Sequence, residues 1–324
     1  MSKFFEALEQ AQRDRQARGE TPGRSAGPVP AQDAGPAPLA AAETVSRPLA
    51  VPTPAEIPQG VDEHLVSLLT PAAFEAEQYR ALRHMVEQRH KAAGVQVIAV
   101  TSAAVGDGKT TTAINLAGAL AQAAESRVLL VDADLRRPAL GHLLGLGGSG
   151  DPGLVNAIVD PAVGLAEIVQ ERPPFNLSVI RAGQTPPSPY ELLKSPRLGA
   201  LLDEARARFD YIVVDAPPLV PVQDCRVIGR WVDGFLLVVQ AHRTPRRLVE
   251  EALNVVEPAK MIGLVFNRDD HPLSGYYSGY YAGYAYAAGP SSNGHGAGRW
   301  GRAMQKVGAS FGGRRRRRRH RGRP

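Results

Sequence analysis

A single cysteine, Cys225, stands in 324 residues. That excludes an internal disulfide and any metal site built from cysteines, and the expected compartment is the reducing cytoplasm. Long apolar runs are missing too: none approaches the ~20 residues that a membrane-spanning helix needs, and the N-terminus has no basic region followed by an apolar core. Neither a transmembrane helix nor a signal peptide is expected. Acidic residues stop at Asp270, whereas Arg299, Arg302, Lys306, the unbroken arginines from Arg314 to Arg319, Arg321 and Arg323 follow it. Those basic groups outnumber the whole formal net charge of +6, so the rest of the chain is net acidic and the basic character belongs to a tail. This distribution argues against a folded nucleic-acid-binding domain, and no specific nucleic-acid partner is expected.

What is present divides the chain into five parts. Residues 1–18 read as a short amphipathic helix with Ser2 as N-cap and Phe4, Phe5 and Leu8 as its apolar stripe. Residues 19–58 are dominated by Pro and Ala, which block helix and favour a semi-rigid linker. Residues 59–271 alternate between amphipathic stretches and short runs of Val, Ile and Leu. The runs at 96–101, 127–132, 210–215, 234–239 and 262–266 are apolar on both faces, as buried parallel strands are. Helical stretches at 109–124, 190–208 and 245–256 lie between them. This βαβ series predicts a doubly wound, mainly parallel α/β sheet of the P-loop NTPase type, with ligands at the carboxyl ends of the strands. Residues 272–290 hold a tyrosine cluster, and 291–324 form a Gly-rich basic tail.

The motifs fall at predicted strand ends. The first strand runs into SAAVGDGKTTT at residues 102–112 and then a helix. In that context the backbone N–H groups of Val105, Gly106, Asp107 and Gly108 make an anion nest, and Lys109 reaches the β- and γ-phosphates. Thr110 can ligate Mg²⁺, and Thr111 opens the helix. Ala103 replaces the usual first glycine. The next strand ends in Asp132 and Asp134, a pair of carboxylates two residues apart, and a later one ends in Asp215 followed by Ala-Pro-Pro. Asp215 is placed like the acid that holds the magnesium water shell in P-loop nucleotidases. Three strand ends thus supply a lysine, a hydroxyl and three carboxylates to one Mg-ATP site. Downstream, Tyr276, Tyr277, Tyr280, Tyr281, Tyr284 and Tyr286 crowd into GYYSGYYAGYAYAAG, although the chain has only nine tyrosines. The interleaved glycines make this a poor helix or core strand, so the rings are expected to be exposed.

These motifs, together with AGQTPPSPYELLKSP at 182–196 and Asp224 after the Ala-Pro-Pro segment, resemble a bacterial tyrosine autokinase of the capsule and exopolysaccharide biosynthesis class. The resemblance covers roughly residues 60–286. It implies that ATP phosphorylates the six tail tyrosines in trans and that this controls polysaccharide polymerisation and export. By motif position it gives phosphate and Mg²⁺ binding to Lys109 and Thr110, metal holding to Asp134 and Asp215, and the base for the tyrosine hydroxyl to Asp132. Asn267 resembles the adenine-contacting position. Glu77, Arg80 and Arg83 match an ExxRxxR helix face that closes a ring of subunits. The implied partners are a transmembrane polysaccharide co-polymerase that activates the kinase at the inner face of the membrane, further copies of the chain, and a phosphotyrosine phosphatase. The arginines from Arg314 to Arg323 lie outside the resemblance and suit an anionic lipid surface.

Two other readings compete. A partitioning or positioning ATPase would use the same loop as a nucleotide switch, but such proteins usually carry an extra lysine where this chain has Ala104, and they lack a tyrosine tail. A scaffold that binds ATP weakly would use its Gly/Tyr and Arg segments for polyanion contacts, and phosphotyrosine would distinguish it.

Overall fold

The computed structural model describes residues 58–147 and 150–269. The expected N-terminal helix, most of the linker, the tyrosine cluster and the basic tail lie outside the described residues. A short helix α1 (Val66–Leu69) and the 20-residue α2 (Phe74–Ala93) precede β1 (Val97–Ser102) and α3 (Lys109–Ala121). Next come β2 (Val128–Asp132), α4 (Leu140–Leu143), α5 (Leu154–Val159) and α6 (Leu165–Ile168), followed by β3 (Gln170–Glu171) and β4 (Leu177–Ile180). The remainder is α7 (Pro189–Lys194), α8 (Pro196–Arg208), β5 (Tyr211–Asp215), α9 (Asp224–Ile228), β6 (Gly234–Gln240), α10 (Arg246–Val255) and β7 (Met261–Asn267).

The seven strands form one sheet in the order β3-β4-β2-β5-β1-β6-β7, parallel throughout except for the antiparallel edge pair β3 and β4. Alternation along each strand distributes its apolar residues between two helical layers. On one face Ile98, Val100, Leu130 and Val213 pack against Leu65, Val86, Ile114 and Leu120 of the α1–α3 layer. On the other, Val97, Ala99, Leu129 and Val214 meet Leu154, Leu198, Leu202 and Ala252. Both layers exclude water from β1, β2, β5 and β6, which is why those runs read as continuously apolar; β7, expected to be buried as well, is an edge strand that leaves Leu264 and Phe266 exposed.

Two expectations need correction. The stretch predicted as one helix over 190–208 is two, because Pro196 has no N–H to donate and holds Ser195 in an extended conformation, with ψ of 134°. Ser195 then caps the second helix by accepting from the Arg197 amide. The sheet also has two strands beyond the five expected. β3 and β4 are two and four residues long, too short for their alternation to stand out from the surrounding loops. No helix among the described residues is long and apolar enough to cross a membrane.

Candidate active site

β1, β2 and β5 are neighbours, and their carboxyl ends bring the expected residues together. In register, Val100 pairs with Asp215 and Asp132 pairs with Asp215. The loop between β1 and α3 turns through Gly106 and Gly108, at φ of 90° and 94°. These are left-handed conformations that favour glycine. A Cβ on Gly108 would lie 2.0 Å from Nδ2 of Asn267. The loop is pinned from three sides through the buried Asp107. Its Oδ2 accepts from the Ala104 amide at 3.0 Å, its Oδ1 accepts from the Thr244 hydroxyl at 2.7 Å, and its carbonyl accepts from Asn267 Nδ2 at 2.9 Å.

Lys109 is the hub of the charged groups. Its Nζ lies 2.8 Å from Oδ2 of Asp134, 3.2 Å from Oδ1 of Asp215 and 3.1 Å from the Thr110 hydroxyl, which itself donates to Oδ2 of Asp215 at 2.7 Å. Burial would lower the lysine's pKa, but Asp215 and then Asp134 outweigh it, and the ammonium is held above its ordinary value. Asp215 is fully buried, and burial pushes its carboxyl up despite Lys109 and Thr110. Asp132 is raised well above the usual carboxylate range, first by burial and then by the charge of Asp215. One buried cation thus faces several buried carboxylates, an excess of negative charge that a further cation or protons would offset.

The cavity beside these groups has a volume of about 430 Å³, and Gly106, Gly108, Lys109, Thr110, Asp134 and Arg137 are on its wall. That size suits a nucleotide. Val105, Thr111 and Arg268 also line it. Asp132 is not on the wall. Its oxygens accept from the Asp134 amide at 3.2 Å and the Leu140 amide at 3.3 Å, so it shapes the turn that presents Asp134. Asn267, expected against adenine, stands behind the loop. Its amide holds the Asp107 carbonyl, its Oδ1 accepts from the Arg268 amide, and the side chain that lines the cavity there is Arg268. Thr244 and Arg268 were not legible in the sequence: one lies in a turn without a motif, the other just past a strand end.

Among the described residues no group of three or more His, Cys, Asp or Glu side chains could hold a metal unaided. The expected set of Thr110, Asp134 and Asp215 is nonetheless all oxygen, and Mg²⁺ takes one or two carboxylates plus substrate phosphates and water. The donors present therefore fit a magnesium ion that arrives with a nucleotide.

Glu77, Arg80 and Arg83 lie on α2 as expected, but each arginine has partners within the chain. Arg80 bonds Glu77 and the Pro71 carbonyl, while Arg83 donates to Glu87 at 2.6 Å and to the Ala119 carbonyl of α3 at 2.9 Å. Arg83 is thus a strut between α2 and the helix behind the phosphate loop. The lone thiol of Cys225 is pushed up to about 12 by burial and donates to the Pro217 carbonyl at 2.7 Å. It is a packing residue rather than a nucleophile.

A family model described as an AAA domain matches residues 95–240. The tyrosine-protein kinase YwqD of Bacillus subtilis is 31% identical over 222 residues, spanning 67% of this chain and 92% of its own length. The succinoglycan biosynthesis transport protein ExoP of Rhizobium meliloti is 36% identical over 215 residues, which are 64% of this chain and 27% of that longer protein. Among solved structures, the kinase domain of the Escherichia coli tyrosine kinase ETK superposes with a TM-score of 0.58 at 30% identity, covering 65% of this chain and 84% of that one.

Proposed function

Since the chain belongs to the bacterial tyrosine-protein kinase family, we propose that it transfers the γ-phosphoryl group of ATP to its own tail tyrosines, Tyr276 to Tyr286, between copies. The observation that carries this reading is the Lys109 hub, which gathers Thr110, Asp134 and Asp215 at the edge of a cavity of nucleotide size. Lys109 would leave its carboxylates for the β- and γ-phosphates, exchanging one set of anionic partners for another. The backbone amides of residues 105–109 would hold the phosphates, and Gly106 and Gly108 leave room for that approach. Thr110, Asp134 and Asp215 would hold Mg²⁺, which would supply positive charge against the negative charge developing on the phosphate oxygens. The tyrosine oxygen forms its bond to the γ-phosphorus while the bond to the β,γ-bridging oxygen breaks, and ADP leaves with that electron pair. The hydroxyl proton passes to the carboxylate pair Asp132 and Asp134, of which Asp134 is the member on the cavity wall.

The ATPase-switch reading has less support, because the relatives with substantial identity are named kinases or a polysaccharide transport protein. The link to ExoP supports a role in exopolysaccharide or capsule production, with a membrane co-polymerase as partner. Purified chain incubated with Mg-ATP should gain phosphotyrosine within 276–286, and Lys109→Met should gain none while keeping its circular-dichroism spectrum. Phosphotyrosine persisting in purified Lys109→Met would falsify the site.

A further inference from the structure

Next to the nucleotide cavity lies a second hollow of about 560 Å³. Its walls include Tyr190 of α7, Asp224 and Arg226 of α9, and Arg136, Pro221 and Val222. The last three also line the nucleotide cavity, so hollow and cavity share one wall. Arg136 starts two residues after Asp134, and whatever occupies the hollow lies beside the carboxylate end of the active site. The floor is rigid: Nε and Nη2 of Arg136 donate to the two oxygens of the fully buried Asp224 at 2.7 and 2.9 Å. This two-pronged pair cancels the acid's charge and fixes the guanidinium plane. Arg226 differs. It is exposed, with no side-chain hydrogen bond or ion pair among the described residues, and so leaves the hollow one uncompensated positive charge.

We propose that this hollow is the acceptor-docking subsite, that its occupant is the 275–286 segment of a second copy, and that Arg226 recognises a phosphate already placed on that segment. The proposal rests on the kinase reading above. Tyr190, Pro221 and Val222 offer apolar faces for a phenol ring, and an apolar wall with a few placed polar groups is what an aromatic segment needs. Residues 275–286 have no charged side chain. Their first phosphate therefore changes the segment from neutral to about −1.5 to −2, complementary to the free Arg226. Tyr276, Tyr280 and Tyr284 recur every four residues. In an extended chain that spacing is about 14 Å, a distance over which one modified tyrosine can occupy the hollow while another faces the adjoining cavity. One phosphorylation would then favour the next, and the cluster would fill in succession.

The test is peptide binding to the full chain without ATP, with Arg314 to Arg319 replaced by Gln in every sample so that the tail does not compete for phosphate. Two fluorescent peptides of residues 274–287 are titrated by anisotropy, one unmodified and one phosphorylated at Tyr280. The phosphopeptide should bind at least fivefold more tightly. Arg226→Ala should bring the two affinities within twofold of each other, and Arg226→Lys should restore the preference. Equal affinities in the unchanged subsite, or a preference that survives Arg226→Ala, would overturn the proposal. Failure of the kinase reading is a separate result, an absence of ATP-dependent phosphotyrosine, which peptide affinity does not report.

Discussion

Gly108 carries two constraints at once, a left-handed backbone and a neighbour at its missing Cβ. With φ at 94° an L-residue costs about 1–2 kcal/mol, and a methyl group would displace Asn267, the strut that holds the Asp107 carbonyl. Gly108→Ala should therefore lower the melting temperature by several degrees and weaken ATP binding by tenfold or more, as isothermal titration would show. Unchanged affinity would mean that the strut does not set the loop's shape. At this scale the sequence was a good guide to which residues carry charge to the site. Lys109, Thr110, Asp134 and Asp215 converge because a motif at a strand end keeps its place whatever the loops around it do. Thr244 and Arg268 escaped notice because their importance comes from packing against Asp107 and Gly108, contacts between residues far apart in the chain.

Elements hold together at the opposite end of the sheet through one carboxylate. Asp233, just before β6, accepts from the amides of Gln96 and Val97 at 2.8 Å each and from Arg206 of α8 at 2.8 and 2.7 Å. Burial raises its pKa, but Arg206 and the two amides outweigh that, and the carboxyl sits below its ordinary value. A group with a lowered folded pKa contributes stability that is fully present above its unfolded value, near 3.8, and is lost as pH falls through the folded value. Asp233→Asn should cost about 1.5–3 kcal/mol at pH 7. As pH falls from about 4 through the lowered folded value, the wild-type and variant melting temperatures should converge, since the wild type alone loses this contribution. A constant gap across that range would contradict the assignment. None of these contacts was legible beforehand, since a lone Asp before a strand carries no local signature. β1, β2, β5 and β6 were legible because burial on both faces writes them as unbroken apolar runs; β7 reads the same way although it is an edge strand with Leu264 and Phe266 exposed, and β4 has only four residues to show a run. Residues 190–208 show the opposite failure: their helical periodicity hid the break that Pro196 imposes.

At the scale of the whole molecule, transfer between copies requires one copy's tail to reach another copy's Lys109 site. The helix face expected to join the copies has its arginines already bonded within the chain. Replacing Arg83 would also loosen α2 from α3, which makes it a poor probe of assembly. Mixing two full-length variants is cleaner, because each has one half of the reaction. Lys109→Met keeps the tyrosines and lacks the cation proposed to bind phosphate; a second chain keeps Lys109 and has all six tail tyrosines changed to Phe. Incubated separately with Mg-ATP, neither should gain phosphotyrosine in 276–286. Mixed, they should place phosphate on the Lys109→Met chain, located by mass spectrometry at Tyr276 to Tyr286, at a rate that rises with the concentration of the second chain. A mixture that stays unmodified while wild-type protein modifies its own tail would contradict transfer between copies, and a wild-type protein that gains no phosphotyrosine under the same conditions would contradict the kinase account itself.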